Sequence, residues 1–191
     1  GPAVIQSSTA HAGGRDHVQL DDRLLAAPAL VEHAQLRVPA GQVAADAPVV
    51  ALLEEHFFRQ EGNRFSYQNI LVAEASAAVV GLVLSFGGRD EARLNAAVGA
   101  WLEQEAEDDE WYVDALAVFR DWGRQGIGAS LLQRAEQRAR EHHYPKIALN
   151  VAQDNKPAMD LYARRHYAVT GQTLLYQRPH VRMVKTLENG E

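Results

Sequence analysis

The sequence feature that most constrains the fold is a glycine-rich turn that joins a predicted strand to a predicted helix. The strand covers 111–118 and has aromatic and β-branched residues towards its ends. Gly123, Gly126 and Gly128 follow it closely. A helix to about residue 142 comes next, with apolar residues at steps of four: Ile127, Leu131, Ala135 and Ala139. Because a strand, a tight turn and an amphipathic helix succeed one another, the sequence predicts an α/β fold.

The other apolar patterns place this unit within a mixed sheet. Two short runs, 70–73 and 79–86, are separated by a few small residues and predict a β-hairpin. The elements expected elsewhere are a strand at 4–5, helical patterns over 20–36, 48–58 and 92–102, a strand at 147–151, a helix at 155–165, and strands at 168–176 and 180–186. Since no linker or repeat interrupts them, we expect a single α/β domain over 1–191.

Composition excludes several classes of protein. The 191 residues carry a formal net charge of −6 and include no cysteine. An acidic balance argues against a broad nucleic-acid-binding face, and the missing thiols exclude disulfides, thiolate metal sites and a cysteine nucleophile. The eight histidines show no recurring ligand spacing, so no metal site is predicted.

The expected location follows from what the sequence lacks. No apolar run approaches the ~18 residues of a membrane span, and the N-terminus has no signal-peptide pattern. Gly1 and Pro2 are interpreted as a tag remnant and left out of the fold prediction. We therefore expect a cytoplasmic protein that binds neither membrane nor nucleic acid.

The glycine-rich turn is also a candidate anion-binding site. Glycines let a backbone approach a ligand closely, and the first turn of a helix offers unpaired N–H donors at the positive end of its dipole, which together suit a pyrophosphate. A Walker loop is excluded because no lysine lies here. A dinucleotide fingerprint fits poorly because the glycine spacing is reversed and 149–151 carries no ribose-binding acid. An ordinary strand–helix turn without a ligand stays as the alternative.

A second motif begins at Asn155. This residue is a good helix N-cap, and Pro157 suits the first turn. The apolar side chains at Ala158, Leu161 and Tyr162 then share one helix face. The motif predicts a short amphipathic helix directly after a buried strand.

These two segments resemble motifs A and B of the GNAT superfamily, the acetyl-CoA-dependent N-acetyltransferases. The resemblance covers about 69–187, while the part over 3–60 is variable. Two residues depart from the usual motifs: Gly123 stands where motif A has Gln or Arg, with Arg124 one position later, and His166 stands where motif B has glycine. We therefore expect the helix before His166 to end in a different way.

The resemblance implies a GNAT-like fold, with six or seven strands, helices on both faces and a V-shaped splay between the strands at 111–118 and 147–151. In that fold the pantetheine arm of acetyl-CoA enters the splay beside the backbone of Leu116 and Val118, one N–H of which would polarise the thioester oxygen. The implied cofactor-binding residues are Leu116, Val118, Arg124, Gln125, Gly126, Ile127, Gly128, Ala129 and Asn155.

The resemblance also implies catalytic roles. Tyr162 would be the general acid, since a phenol is protonated at neutral pH and can donate to a leaving thiolate; the alternative is a core aromatic residue. Asp114 is the first candidate for general base and Glu74 the second, with water as a further option. Strict alternation places Asp114 on the face of Leu116 and Val118, unless a β-bulge turns it.

The acceptor implied by the resemblance is a primary amine on a small polyamine-like molecule, an amino acid or a protein. The acidic run at 103–110 is typical of a solvated loop, and the alternative is that it attracts a cationic acceptor. A homodimer is expected by analogy with related folds. The competing hypotheses are a non-catalytic acyl-CoA-binding or regulatory module with the same fold and, more distantly, a nucleotide-binding α/β domain.

Overall fold

The computed structural model describes residues 19–21, 54–75, 78–99 and 102–188. The strand expected at 4–5 lies outside these ranges, as does most of the helical pattern over 20–36, whose first two residues belong to a strand. Within the helix expected over 48–58, the described part is one π-helical turn, Glu54–Phe58.

Seven strands form one mixed sheet in the order β1-β2-β3-β4-β5-β7-β6. Their bounds are β1 Gln19–Asp21, β2 Ile70–Ala75, β3 Ala78–Gly87, β4 Glu110–Val118, β5 Lys146–Ala152, β6 Ala168–Leu175 and β7 Arg178–Thr186. All neighbours are antiparallel except β4 and β5, which are parallel because a helix crosses over between them. The predicted hairpin and the four later strands are confirmed.

Three helices complete the described fold: α1 Gly88–Ala96, α2 Ile127–Glu141 and α3 Lys156–Arg164. The helix expected at 92–102 was wrong at both ends, since α1 begins directly after β3. Gly87 caps it in an extended conformation, and Asp90 and Glu91 lie in its first turn, where carboxylates favour the helix dipole.

The sheet is covered on both faces, as the resemblance implied. On one face α2 and α3 bury the larger core, which includes Leu131, Ile147 and Tyr162. On the other face a smaller cluster around Phe86, Leu94 and Tyr112 lies beneath α1. The paired part of β4 is thus buried, whereas its residues from Asp114 to Val118 are half-buried or exposed.

The end of α3 corrects one expectation. His166 adopts a left-handed backbone with φ 68°, the conformation for which glycine is usual. Its N–H donates to Ala163 O at 3.0 Å, and Tyr167 N–H donates to Tyr162 O at 3.0 Å. This is the Schellman arrangement, so a histidine ends the helix in the way that motif B normally ends with glycine.

Another correction concerns the β6–β7 hairpin, whose turn is tighter than expected. Leu175 pairs with Arg178, so the turn consists of Tyr176 and Gln177, at φ 49° and 62°. Two successive left-handed residues define a type I′ turn, which normally contains Gly or Asn. The turn therefore holds Tyr176 in a strained conformation at one end of the sheet.

Candidate active site

The strands β4 and β5 separate after a short paired segment. Their parallel ladder runs from the pair Glu110–Lys146 to the pair Val113–Leu149. Both strands continue beyond these pairs, β4 to Val118 and β5 to Ala152, without pairing to each other over these described residues. The V-shaped splay implied by the resemblance is therefore present.

The free edge of β4 carries the backbone groups expected there. Phe119 N donates to Val80 O on β3 at 2.9 Å. Because N–H and C=O groups alternate in direction along a strand, those of Leu116 and Val118 face away from β3 and into the splay. An extended arm that adds to this edge would satisfy them.

A β-bulge in β4 places Asp114. Ala115 pairs with Leu84 and Val113 pairs with Ser85, so Asp114 is the extra residue. Leu116 and Val118 pack against the core beneath α2. The Asp114 carboxylate is bonded to Arg64 and lies with Tyr112 at a pocket on the other face. The face expected from strict alternation is therefore wrong, and the alternative with a bulge is confirmed.

The glycine-rich turn is open at the start of α2. Gly126 is the N-cap at φ 86°, and it has no side chain that could accept from the N–H groups of the first turn. A Cβ placed on Gly126 would meet no atom within 4 Å. Arg124 and Gln125 are exposed beside it. The turn therefore offers unpaired donors in open space, as a pyrophosphate site requires.

Gly128 is the point where the two motifs meet. A Cβ on it would lie 3.4 Å from Leu161 Cδ2 and 3.7 Å from Val118 Cγ2. The turn, the end of β4 and α3 therefore converge within van der Waals distance. In the first turn of α2, Ile127 is buried and Ala129 is half-buried.

The helix α3 presents the residues of the second motif. Asn155 is its N-cap and accepts from Ala158 N at 3.3 Å through Oδ1. Tyr162 is 8% exposed and packs against Tyr167, with 5.9 Å between ring centroids and 53° between the ring planes. Burial raises the pKa of Tyr162 to about 12, so its phenol keeps its proton at neutral pH.

A buried arginine organises the other face of the splay. Arg64 is 2% exposed, and its Nη1 donates at 3.2 Å to both Glu91 Oε1 and Asn95 Oδ1. Its Nη2 lies 2.8 Å from Glu105 Oε1 and 2.6 Å from Asp114 Oδ1. Burial alone would lower the pKa of Arg64, but the hydrogen bonds and charges of Asp114 and Glu105 outweigh it and raise the pKa. The guanidinium therefore stays charged and holds one Asp114 oxygen.

The acidic run divides into two buried carboxylates and four exposed ones. Glu105 and Glu110 are buried, and Glu110 pairs with Arg182. Lys146 Nζ lies 2.6 Å from Glu107 and 2.9 Å from Asp109, and the hydrogen bond from Lys146 lowers the pKa of Glu107. The expectation of a solvated loop is thus wrong for Glu105 and Glu110, and it holds for the exposed Glu103, Glu107, Asp108 and Asp109.

A pocket of about 240 Å³ opens where β4 and β5 part. Arg64, Glu105, Tyr112 and Asn150 line it together with Asp114. Of these four, the sequence analysis gave a role only to Glu105, as part of the acidic run. The only signal of this pocket in the sequence was the presence of charged residues among apolar neighbours. Glu74, the second base candidate, lies on β2, with β3 between it and β4.

Two features are absent from the described ranges: a cluster of metal-ligating side chains and a helix that could cross a membrane. No group of three or more His, Asp and Glu side chains there could hold a metal ion. Among the helices the structure describes, none has the length and apolar character needed to cross a membrane.

A splayed parallel strand pair, an open turn at a helix N-terminus and a buried tyrosine together define the class of an acyl-CoA-binding transferase fold. The acetyltransferase (GNAT) family matches residues 41–167, more than half of the chain. The chain therefore belongs to the GNAT family of acyltransferases, whose acetyl donor is acetyl-CoA.

Solved structures show the same fold. The N-acetyltransferase from Staphylococcus aureus Mu50 is 24% identical, with 83% of this chain and 92% of that chain covered and a TM-score of 0.65. The ribosomal-protein-S18-alanine N-acetyltransferase from Escherichia coli is 15% identical, with 91% and 96% covered and a TM-score of 0.59.

A curated relative matches a shorter segment. Streptothricin acetyltransferase A of Bacillus subtilis (strain 168) is 31% identical over 65 residues, which is 34% of this chain. The match spans 38% of the length of that relative.

Proposed function

We propose that this chain transfers the acetyl group of acetyl-CoA to a primary amine by direct attack within a ternary complex. The observation that carries the proposal is the junction of two features: unpaired backbone groups of β4 that face the splay, and an open helix N-terminus next to them. An extended arm with a pyrophosphate at its far end has the chemistry to fill both.

The residues that would hold acetyl-CoA fall into three groups. The backbone of Leu116 and Val118 pairs with the pantetheine arm, and one of their N–H groups polarises the thioester oxygen. Asn155 donates through its amide nitrogen, because its oxygen already caps α3. The N–H groups that wrap the pyrophosphate belong to Arg124, Gln125, Gly126, Ile127, Gly128 and Ala129.

When bound, acetyl-CoA supplies a thioester whose acetyl carbon accepts the amine nitrogen and whose sulfur leaves as a thiolate. Asp114 removes one proton from the substrate ammonium with the oxygen that Arg64 does not hold. The nitrogen releases its second proton to water once it has bonded to the acetyl carbon. Tyr162 donates its phenolic proton to the thiolate, since a pKa of about 12 keeps it protonated until then. Arg64 is a positioning residue that fixes the rotamer of Asp114.

We also propose a homodimer formed through β6. This strand lies at the edge of the sheet and has no charged residue between Ala168 and Leu175. Val169 is 58% and Leu174 65% exposed. Proteins usually protect such an edge from further strand pairing. In a two-fold dimer, β6 of one copy would pair with β6 of the other, so that both edges are covered.

The test is a panel of amines incubated with acetyl-CoA while free thiol is measured. The panel holds putrescine, spermidine, lysine and a short peptide with a free N-terminus, which cover the expected acceptor types. We expect thiol release and an acetylated product with at least one of them. The competing hypothesis, a non-catalytic acyl-CoA-binding module, predicts tight CoA binding without an acetylated product anywhere in the panel.

A further inference from the structure

The pocket at the parting of β4 and β5 contains a buried polar atom that has no partner. Asn150 Nδ2 donates to Tyr112 Oη at 3.0 Å, and Tyr112 Oη donates to Glu105 Oε2 at 2.6 Å. This chain fixes the amide, because a flipped amide would place its oxygen against a hydroxyl whose proton is already used. Asn150 Oδ1 is then buried with no hydrogen-bond partner among the described residues.

The position of Asn150 links this atom to the reaction. Leu149 is the last residue of β5 that pairs with β4, and Asn150 follows it. Val113 is its partner on β4, and Asp114 follows that residue. Asn150 and Asp114 therefore begin the two arms of the splay, and both side chains line the same pocket.

The side chains of Asn150 and Asp114 each have an oxygen that can accept a further hydrogen bond. Asp114 uses Oδ1 to accept from Arg64, and Asn150 has its free oxygen. Among the described residues, Arg64 is the only cation that forms an ion pair with the carboxylates of Glu91, Glu105 and Asp114. A buried acceptor without a donor is unfavourable, so a ligand that brings N–H groups is favoured here.

We propose, on the basis of the function proposed above, that Asn150 is a substrate-binding residue that determines specificity. Its Oδ1 accepts one N–H of the reacting ammonium while Asp114 accepts another. After Asp114 has taken its proton, the remaining N–H still donates to Asn150 and orients the nitrogen lone pair. The pocket would thus select a nitrogen nucleophile with at least two N–H groups, and a hydroxyl could satisfy only one of the two acceptors.

The test compares two cations that differ in their number of N–H donors. The probes are the panel amine that is acetylated with the highest kcat/KM and its analogue with two methyl groups on the acetylated nitrogen. The tertiary ammonium keeps the charge and has a single N–H, so it is bound and not acetylated. Dissociation constants for both are measured by calorimetry in the presence of saturating CoA.

The wild type should bind the primary amine about tenfold more tightly than the dimethyl analogue, the effect of one hydrogen bond to a buried acceptor. In Asn150→Leu and in Asn150→Ala the two constants should converge, with acetyl-CoA affinity unchanged. Leucine fills the space of the Asn150 side chain, and alanine leaves it empty. If the two dissociation constants converge in both variants, the difference seen in the wild type is due to Asn150 Oδ1 and not to the volume of the side chain. The exposed Gln133→Leu is the matched control and should keep the tenfold ratio.

Two results would overturn the inference. One is a ratio near unity between the dissociation constants of the two amines in the wild type. This measurement uses no variant, so it does not depend on whether a variant folds. The other is a tenfold ratio that survives in either Asn150 variant. Failure of the proposed function is a separate result, since it would show as no acetylated amine in the panel with wild-type protein.

Discussion

Arg64 Nη2 lies 2.6 Å from Asp114 Oδ1, across a separation of fifty residues in the chain. The same guanidinium also contacts Glu91 and Glu105, which are 0% and 7% exposed. One buried cation thus holds α1, the segment before β4 and the bulge of β4 in a fixed arrangement. The stability of the fold and the position of the candidate base depend on the same side chain.

Replacing this arginine should destabilise the protein strongly. Arg64→Met keeps most of the volume and removes the charge, which leaves buried carboxylates without a partner, so the free energy of unfolding should fall by about 3–5 kcal/mol. Arg93→Met is the control, because Arg93 pairs with Asp90 at the surface and the effect should stay below about 1 kcal/mol. Urea unfolding measures both. Equal losses in the two variants would contradict a structural role for the Arg64 cluster.

Removing the phenolic hydroxyl should separate catalysis from binding. Tyr162→Phe should lower kcat about 100-fold, since the thiolate then leaves without a general acid, while acetyl-CoA affinity stays the same. Because burial raises the pKa of Tyr162 to about 12, the phenol does not titrate below about pH 10. The kcat profile of the variant should therefore be lower and have the same shape from about pH 6 to pH 10. If kcat of the wild type fell between about pH 6 and pH 10 and kcat of the variant did not, Tyr162 would titrate in that range. That result would contradict a general acid with a pKa of about 12.

The conformation of the glycine-rich turn can be tested at Gly126. Alanine at φ 86° costs about 1–2 kcal/mol, although its methyl group would meet no protein atom within 4 Å. Gly126→Ala should therefore lose about that much stability and bind CoA about tenfold more weakly, because the amide donors turn away from the pyrophosphate. Gly171→Ala has an equally open Cβ without a left-handed φ, and it should change neither quantity. Unaltered CoA affinity in Gly126→Ala would argue against an anion site at this turn.

The proposed dimer predicts a clear effect of charge on the edge strand. Leu174→Lys places an ammonium on β6, which should disfavour strand pairing between copies and give a monomer in light scattering. Gln172→Lys is a second variant on β6 and replaces a polar residue instead of an apolar one. It should also give a monomer. Val98→Lys, on the half-buried stretch after α1, lies away from β6 and should leave the dimer intact. A monomeric wild type at micromolar concentrations would exclude the dimer.

Local signals made the glycine-rich turn and the start of α3 predictable. The turn at Gly126 and Gly128 and the N-cap at Asn155 depend on neighbours within a few residues, so the sequence contains the whole argument. His166 shows the limit of this approach. A histidine was expected to change the helix end, but the hydrogen bonds of the Schellman arrangement hold it in a left-handed conformation.

The pocket around Arg64 and Asp114 was not predictable because its contacts are long-range. Arg64 meets partners 27 to 50 residues away, and no periodic pattern marks such pairs. The orientation of Asp114 depends on a one-residue bulge that is visible only in the register with β3. The carboxylates of 103–110 look alike in sequence, and only packing divides them into buried, paired and exposed ones.

Calorimetric titration with CoA, with NAD and ATP as comparison ligands, is the most direct test of an acyl-CoA site formed by the open turn and the parted strands. We predict one CoA bound per chain, undisturbed by NAD or ATP at concentrations that would saturate a nucleotide site. Heat of binding with NAD or ATP, and none with CoA, would contradict the account.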